Sequence, residues 1–268
     1  MTRMLLYTSP ARGHLYPMMD VAIAMREAGH QVVVQTLADE REQVESAGVV
    51  HRPIAQAIEA LQMDDYQVRG NLRQLQTCLE CWASRAPHEV DDLHQAVSDI
   101  DADLLLVDAN SWGAAAAAEV SGLPWAMFLP YCLPVPSPET PAFGPGFAPP
   151  RGAAGRLRDR LVFAVEDRAF RPYIDRLSDL RSDLGVPAMS SSTEVFTRAP
   201  LLLYRTAEPF EYPRSEWPAN VRLIGPGLWS PPEAPPIGSS RCPVRGPLSA
   251  CRRSSRKTVR SSIPRWKH

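Results

Sequence analysis

The sequence predicts an α/β protein built on a doubly wound parallel sheet. Short apolar runs rich in β-branched residues alternate with longer segments in which apolar residues recur at helical spacing. Glycines stand where several of the helical segments should end. With 268 residues, of which 44% are hydrophobic and 22% charged, the composition is that of an ordinary globular protein. Strands that alternate with helices form a parallel sheet covered on both faces, so this is the expected fold.

The N-terminal 54 residues predict three strands and two helices. The apolar run 4–8 is bounded by Ser9 and Pro10, which predicts a first strand. Apolar residues then recur at helical spacing from Leu15 to Ile23, and Gly29 is placed to end that helix. A β-branched strand, a short charged helix and a third strand are predicted at Gln31–Thr36, 39–46 and 49–54.

Two long helices are predicted further along the chain, and each contains a proline. Residues 71–97 and 156–184 have helical periodicity, and we expect breaks at Pro87 and Pro172 because proline lacks the N–H that a helix interior needs. The Pro- and Gly-rich segment 130–155 predicts a loop. The other predicted elements are strands at Leu104–Asp108, Trp125–Leu129, 201–204 and 221–224, and a small-residue helix at Trp112–Val120.

The C-terminal tail differs in composition from the rest of the chain. Residues 1–236 hold 20 basic and 30 acidic side chains, whereas residues 237–268 hold nine basic side chains and no acidic one. The tail is rich in serine and lacks hydrophobic periodicity, so we expect it to be disordered. It is either a basic arm for nucleic acid or an acidic membrane, or a stretch translated out of frame. Composition favours the second, so no nucleic-acid partner is expected. The predicted division is a folded domain over 1–229, then a linker remnant and tail over 230–268.

Membrane and secreted classes are not favoured by the sequence. No run of 18 or more apolar residues is free of charge and proline. The N-terminal residues lack the apolar core of a signal peptide. Five cysteines in so long a chain do not make a disulfide framework. We therefore expect a cytoplasmic protein without a membrane span.

Two polar residues follow strands that should be neighbours in the sheet. In a 3-2-1-4-5 strand order the first and fourth strands are adjacent, and the loops after them face one crevice. His14 lies in the first loop, near a helix N-terminus whose dipole favours a neutral imidazole, and Asp108 ends the fourth strand. A carboxylate beside a neutral histidine fixes its tautomer, and such a pair can deprotonate a substrate hydroxyl. A solvated histidine and a helix-capping aspartate are the structural alternatives.

Two other motifs are weaker. Ser111 stands on a strand-to-helix turn that loosely fits the nucleophile elbow of α/β-hydrolases. That fold needs a histidine later in the chain, and His268, in the aberrant tail, is the only histidine after Ser111. Cys78 and Cys81 have the spacing of a CxxC pair but have no second pair, so buried helix residues are the better account.

Five segments, in matching order and spacing, resemble segments of one known family. They are TSPARGHLYPMMDVA at 8–22, AGHQVVVQT at 28–36, DLLLVDANSWG at 103–113 with GLPW at 122–125, and VRLIGPGLW at 221–229. These segments resemble the UDP-glycosyltransferase superfamily, and most of all the bacterial macrolide and antibiotic glycosyltransferases of the inverting GT-B type. The resemblance covers roughly residues 3–236.

The resemblance implies a Rossmann-like sheet that forms the N-terminal, acceptor-binding half of a GT-B fold. His14 matches the family's catalytic base and Asp108 its partner. The base would deprotonate a hydroxyl of an apolar small-molecule acceptor, which then displaces the nucleoside diphosphate from a UDP- or TDP-sugar with inversion. The resemblance implies no metal and no cofactor beyond this nucleotide-sugar co-substrate.

Further residues of the same segments are expected to bind substrate. These are Arg12 and Gly13 beside the base, Trp112 after the fourth strand, and Tyr131 at the start of the Pro-rich loop, because acceptor pockets are mostly apolar with a few polar groups. Ordinary core packing is the alternative for each aromatic ring.

The chain also departs from the family. The family's second half carries a His- and Gly-rich diphosphate-binding stretch, and nothing similar follows Pro236. We expect the donor-binding domain to be missing, so that the chain by itself is inactive and would meet a nucleotide sugar only if that domain were supplied. The alternative is a non-catalytic small-molecule-binding module or a degenerate truncated product.

Overall fold

The computed structural model describes residues 1–232, apart from the side chains of Asn71 and Leu72. The expected disordered or out-of-frame tail lies outside the described residues from position 233 onward. Residues Met1–Pro231 form one compact unit. The strands are β1 (Arg3–Tyr7), β2 (Gln31–Thr36), β3 (Val50–Pro53), β4 (Leu104–Asp108), β5 (Trp125–Leu129), β6 (Leu202–Tyr204) and β7 (Val221–Leu223).

These strands form one parallel sheet in the order β3-β2-β1-β4-β5-β6-β7. The order confirms the predicted doubly wound sheet and places the last two predicted strands, β6 and β7, beyond β5. The direction of winding reverses between β1 and β4, which are paired in the register Leu6 to Leu106 and Tyr7 to Val107. The loops that follow β1 and β4 therefore open at one point of the C-terminal edge, where parallel sheets usually bind ligands.

Helices cover both faces of the sheet. They are α1 (Arg12–Glu27), α2 (Arg41–Ser46), α3 (Gln56–Ala60), α4 (Asn71–Ile100), α5 (Trp112–Val120), α6 (Gly152–Asp183) and α7 (Glu194–Thr197). Side chains alternate along β1, so Leu6 packs in the cluster that α1 and α2 complete, and Leu5 packs against α4 and α5. This two-sided burial explains why the central strands are apolar along their whole length.

The predicted breaks at Pro87 and Pro172 are wrong. Both prolines lie inside continuous helices, α4 and α6. An interior proline costs about 3 kcal/mol. The fully buried Leu79 and Leu93 of α4 each contribute roughly 1.5–3 kcal/mol. In α6, Ile174 lies two residues after Pro172 and packs in the same apolar cluster as Leu79. Tertiary packing therefore outweighs the local penalty in both helices.

The two cysteines with CxxC spacing lie on α4, as the helical interpretation predicts. Cys81 is buried and its thiol donates a hydrogen bond to the Leu61 carbonyl at 3.3 Å. Burial raises the pKa of Cys78 to about 11. Both sulfurs are free thiols that pack within the fold.

Candidate active site

His14 and Asp108 meet at the point where the strand order reverses. His14 is the third residue of α1, and Asp108 is the last residue of β4. The Nδ1 atom of His14 lies 2.8 Å from Oδ2 of Asp108. Asp108 is fully buried, and the His14 side chain is 15% exposed. The proximity predicted from topology is therefore observed, and it needs no rearrangement of either loop.

The surroundings of Asp108 fix which nitrogen of His14 carries the proton. The other carboxylate oxygen, Oδ1, accepts a hydrogen bond from the backbone N–H of Asn110 at 2.9 Å. An ionised carboxylate can only accept, so the His14 Nδ1 donates to it. The Nε2 atom of the neutral ring is then left with the lone pair that could take a proton.

The pKa of His14 is raised above its ordinary value of 6.5. Burial, the largest single influence, lowers the pKa, but the charge of Asp108 and its hydrogen bond together outweigh it. The sequence argument expected a neutral ring because of the α1 dipole. The nearby carboxylate acts in the opposite direction and makes His14 a stronger base that is also more readily protonated.

Asn110 completes a network that sequence reasoning missed. Its side-chain Nδ2 lies 3.2 Å from Nε2 of His14, and its Oδ1 accepts a hydrogen bond from the Tyr131 hydroxyl at 2.6 Å. The rings of His14 and Tyr131 meet edge to face, with centroids 5.9 Å apart. The amide of Asn110 therefore caps the lone pair of the candidate base. Its position two residues after Asp108, on the turn before a helix, was the available signal.

A buried carboxylate supports this turn from beneath. Glu89 of α4 accepts a hydrogen bond from the backbone N–H of Gly113 at 2.9 Å, at the start of α5. Burial raises the pKa of Glu89 to about 8, although the Gly113 hydrogen bond and the charge of Arg85 act against that rise. A side chain at position 113 would overlap the Ala86 carbonyl, so only glycine lets α4 and α5 approach this closely.

A cavity of about 620 Å³ lies next to the network. Trp112 and Tyr131, two of the four predicted substrate-binding residues, line it. Trp112 is itself buried and packs on Trp82, with ring centroids 5.6 Å apart, so it belongs to the core as well as to the cavity wall. Since Tyr131 contacts both His14 and the cavity, a molecule in the cavity would reach the candidate base past this ring.

The other two predicted substrate-binding residues lie away from the cavity. Arg12 forms ion pairs with the buried Glu40 and with Asp39, the latter at 3.2 Å. The hydrogen bond to Glu40 is the main reason that the pKa of Arg12 is raised. Gly13 has open space around its Cα, so no close contact requires a glycine there. Substrate binding by Arg12 and Gly13 stays a prediction.

A curated protein and two solved structures are similar to the chain. The 4'-demethylrebeccamycin synthase of Lentzea aerocolonigenes is 30% identical over 245 residues, which cover 87% of this chain and 58% of that protein. The solved glycotransferase of kitacinnamycin matches with a TM-score of 0.60 and 18% identity, over 91% of this chain and 55% of its own. CalG4, the calicheamicin glycosyltransferase, matches with a TM-score of 0.57 and 14% identity, over 87% of this chain and 55% of its own.

The resemblance to glycosyltransferases is confirmed. No family model matches the chain. The two structural matches show the Rossmann-like half of the GT-B fold, and the 30% identical relative adds a sequence relationship. The chain spans little more than half the length of each of these glycosyltransferases. The comparisons therefore show the fold and a resemblance over the covered part of the chain.

The described residues contain neither a candidate metal cluster nor a candidate membrane span. Within residues 1–232, no group of three or more His, Cys, Asp and Glu side chains is arranged to hold a metal ion. No helix in that part of the chain is both long and apolar enough to cross a bilayer.

Proposed function

We propose that residues 1–229 form the acceptor-binding half of an inverting, nucleotide-sugar-dependent glycosyltransferase. The observation that carries this proposal is the contact of 2.8 Å between His14 Nδ1 and Asp108 Oδ2, which lies beside a cavity that Tyr131 lines. Such a pair suits one chemical task, the removal of a proton from a bound hydroxyl.

The reaction would proceed in one displacement. Nε2 of His14 takes the proton of the acceptor hydroxyl, and the oxygen forms a bond to the anomeric carbon of the sugar. The bond from that carbon to the nucleoside diphosphate breaks as the new one forms, and the diphosphate leaves with the electron pair. Asp108 continues to accept the hydrogen bond from Nδ1 and stabilises the imidazolium that results.

The acceptor must displace the amide of Asn110 from Nε2 before it can react. A hydroxyl that arrives there can donate to Nε2 and accept from the Asn110 Nδ2 that it replaces. The hydrogen bond from the Tyr131 hydroxyl keeps the displaced amide close by, so the incoming hydroxyl binds between Nε2 and Nδ2. The proposed acceptor is an apolar small molecule, because the cavity beside Tyr131 is lined mostly by aliphatic and aromatic side chains.

The nucleotide sugar, a UDP- or TDP-sugar, is expected on the second Rossmann-like domain of this fold, which the described residues do not include. We therefore expect the chain by itself to bind acceptor without transferring sugar. Transfer is expected once a donor-binding domain of another GT-B glycosyltransferase is fused after residue 229.

The test uses that fusion protein with 9-anthracenemethanol as acceptor and UDP- or TDP-glucose as donor. We expect His14→Ala to lower the transfer rate by about 10²–10⁴-fold, the usual contribution of a general base. The variant should bind 9-anthracenemethanol as before, as measured by the fluorescence of the anthracene ring. His88→Ala, which removes an exposed histidine of α4, is the matched control.

The pH profile gives a second criterion. Because the His14 pKa is raised, the base is protonated at a higher pH than a free histidine, and transfer should increase as the pH rises through a value above 6.5. Undiminished transfer by His14→Ala would contradict the base assignment. Binding of the anthracene alcohol without transfer by any fusion would favour a non-catalytic binding module.

A further inference from the structure

One wall of the cavity is rich in aromatic side chains and also contains a carboxylate. Its lining includes the rings of Trp82, Trp112, Phe143, Phe163 and Phe170. Part of the wall comes from α6, where Phe163, Glu166 and Phe170 recur at helical spacing and so share one face. A volume of about 620 Å³ is within the range of sites for drug-sized ligands. The carboxylate of Glu166 is thus placed among aromatic rings.

Glu166 differs from the acidic residues near it. Asp159 pairs with Arg158 at 2.8 Å, and Asp167 accepts hydrogen bonds from the backbone N–H and hydroxyl of Ser192 at 2.9 and 2.8 Å. Glu166 makes no hydrogen bond or ion pair with any other residue in the described part of the chain. Burial alone raises the pKa of Glu166 to about 7.

The charged groups around the cavity leave this carboxylate uncompensated. The titratable residues of the lining besides Glu166 are Arg156, Asp159 and Arg160 of α6, and Tyr131 of the loop. Arg156 and Arg160 are exposed to solvent, and Asp159 is occupied by Arg158. A partly buried carboxylate without a partner costs free energy, and a ligand that supplies a positively charged donor recovers it.

We propose that Glu166 selects acceptors that carry a protonated amine on an apolar, polycyclic skeleton. This inference rests on the proposed function, because it names the substrate class of the same cavity. The ammonium group donates a charge-assisted hydrogen bond to the Glu166 carboxylate, while the skeleton packs against the aromatic wall. An uncharged acceptor of the same shape fills the wall but leaves the carboxylate unpaired.

The experiment compares two probes of matched shape on the full chain. The first, 9-(aminomethyl)anthracene, is a cation at neutral pH, and the second, 9-anthracenemethanol, replaces the amine by a hydroxyl. Fluorescence titration at pH 8 should show the amine binding about tenfold more tightly, because its ammonium group donates a charge-assisted hydrogen bond that a neutral hydroxyl cannot match. In Glu166→Gln the preference should disappear while the alcohol binds as before.

The pH dependence and a control variant sharpen the test. Between pH 6 and pH 8 the amine should bind the wild-type chain more tightly as Glu166 ionises, whereas Glu166→Gln should show no such rise. Asp175→Asn removes an exposed acid from the same helix and should keep both the preference and its pH dependence.

Two outcomes would overturn the inference, and they differ from failure of the proposed function. Equal binding of amine and alcohol by the wild type, or the same amine preference in Glu166→Gln, would contradict a role of Glu166 while the acceptor cavity stands. Tighter binding of 9-anthracenecarboxylate than of the amine would show that Arg156 and Arg160 decide the charge preference instead. Binding of none of these probes would contradict the acceptor cavity itself and the inference with it.

Discussion

The polar network at the edge of the sheet and the cavity beside it meet at Tyr131 but are stabilised differently. In the network, His14, Asp108, Asn110 and Tyr131 satisfy one another at distances of 2.6–3.2 Å. In the cavity, the wall is apolar and Glu166 lacks a partner in the described part of the chain. A network of paired groups fixes one geometry, as proton transfer requires, whereas an apolar wall with one uncompensated charge leaves room for a ligand to complete it.

The network rests on buried elements of the fold, whereas the cavity is bounded by elements nearer the surface. The network rests on residues that follow β1 and β4, the central strands of the sheet, and Glu89 supports it from a fully buried position on α4. The cavity is bounded by the loop after β5 and by the first half of α6, where Leu157, Leu161 and Val165 are exposed. Changes in the network should therefore alter stability, and changes in the cavity wall should alter binding.

The largest effect on stability is expected at Glu89, and it depends on pH. Its pKa is about 8 in the folded chain against an ordinary 4.5, so the folded state binds more protons between those values and stability falls as the pH rises. The shift corresponds to roughly 5 kcal/mol as an order of magnitude. Glu89→Gln keeps an acceptor for the Gly113 N–H but cannot ionise. Thermal unfolding should show a smaller loss of Tm from pH 5 to pH 8.5 in this variant.

Part of the wild-type pH dependence should remain in Glu89→Gln. The pKa of His14 is also raised, so its contribution to stability is present below pH 6.5 and is lost as the pH rises through its folded-state value. Glu42→Gln, which removes an exposed acid of α2, serves as the control. If Tm falls equally with pH in wild type, Glu89→Gln and Glu42→Gln, the buried carboxylate does not set the pH dependence.

A smaller loss of stability is expected from Asn110→Ala. The substitution leaves Nε2 of His14 and the hydroxyl of Tyr131 without their partner, and an unpaired polar group in a buried setting costs about 1–3 kcal/mol. For a domain of this size the corresponding fall in Tm is about 2–4 °C per kcal/mol.

The double variant Asn110→Ala with Tyr131→Phe provides the matched comparison. It removes the orphaned hydroxyl, so it should be more stable than Asn110→Ala alone. Additive losses in the two single variants would show that Asn110 and Tyr131 are not coupled, and the network would then be two independent contacts.

Most of the sheet could be predicted from the sequence, because its signals are local. The bounds of β2, β4, α5 and β5 agree with the predicted segments, since the β-branched run of β2, the short apolar runs of β4 and β5 and the small residues of α5 mark them clearly. Pro87 and Pro172 misled the prediction because the burial that overrides them comes from distant residues. The short α3 and α7 were not predicted, because four or five residues carry too little periodicity.

The candidate site was predictable to the extent that strand order determines it. His14 follows β1 and Asp108 ends β4, and the predicted strand order makes these two strands neighbours. The resemblance singled out the same pair. The position of Asn110 after Asp108 indicates only that it lies near the pair, and its contact with His14 depends on the conformation of the turn after β4. The orientation of Glu166 depends on which face α6 turns toward the cavity, and its mixed polar and apolar pattern does not decide that.

The smallest effect on stability is expected from Phe163→Ala in the cavity wall. Phe163 is partly exposed and lines the cavity, whereas Phe128 of β5 is fully buried in the core. Truncation of a core phenylalanine such as Phe128 costs about 3–5 kcal/mol. Phe163→Ala removes contacts that matter mainly when a ligand is present, so we expect its unfolding free energy to change by less than about 1 kcal/mol.

The affinity of Phe163→Ala for 9-anthracenemethanol should fall about three- to tenfold, in line with 0.5–1.5 kcal/mol for an aromatic pair. Leu161→Ala, on the exposed side of α6, should change neither quantity. A loss of stability in Phe163→Ala as large as that in Phe128→Ala would mean that the wall is part of the core, because a binding surface can lose a ring without unfolding the domain.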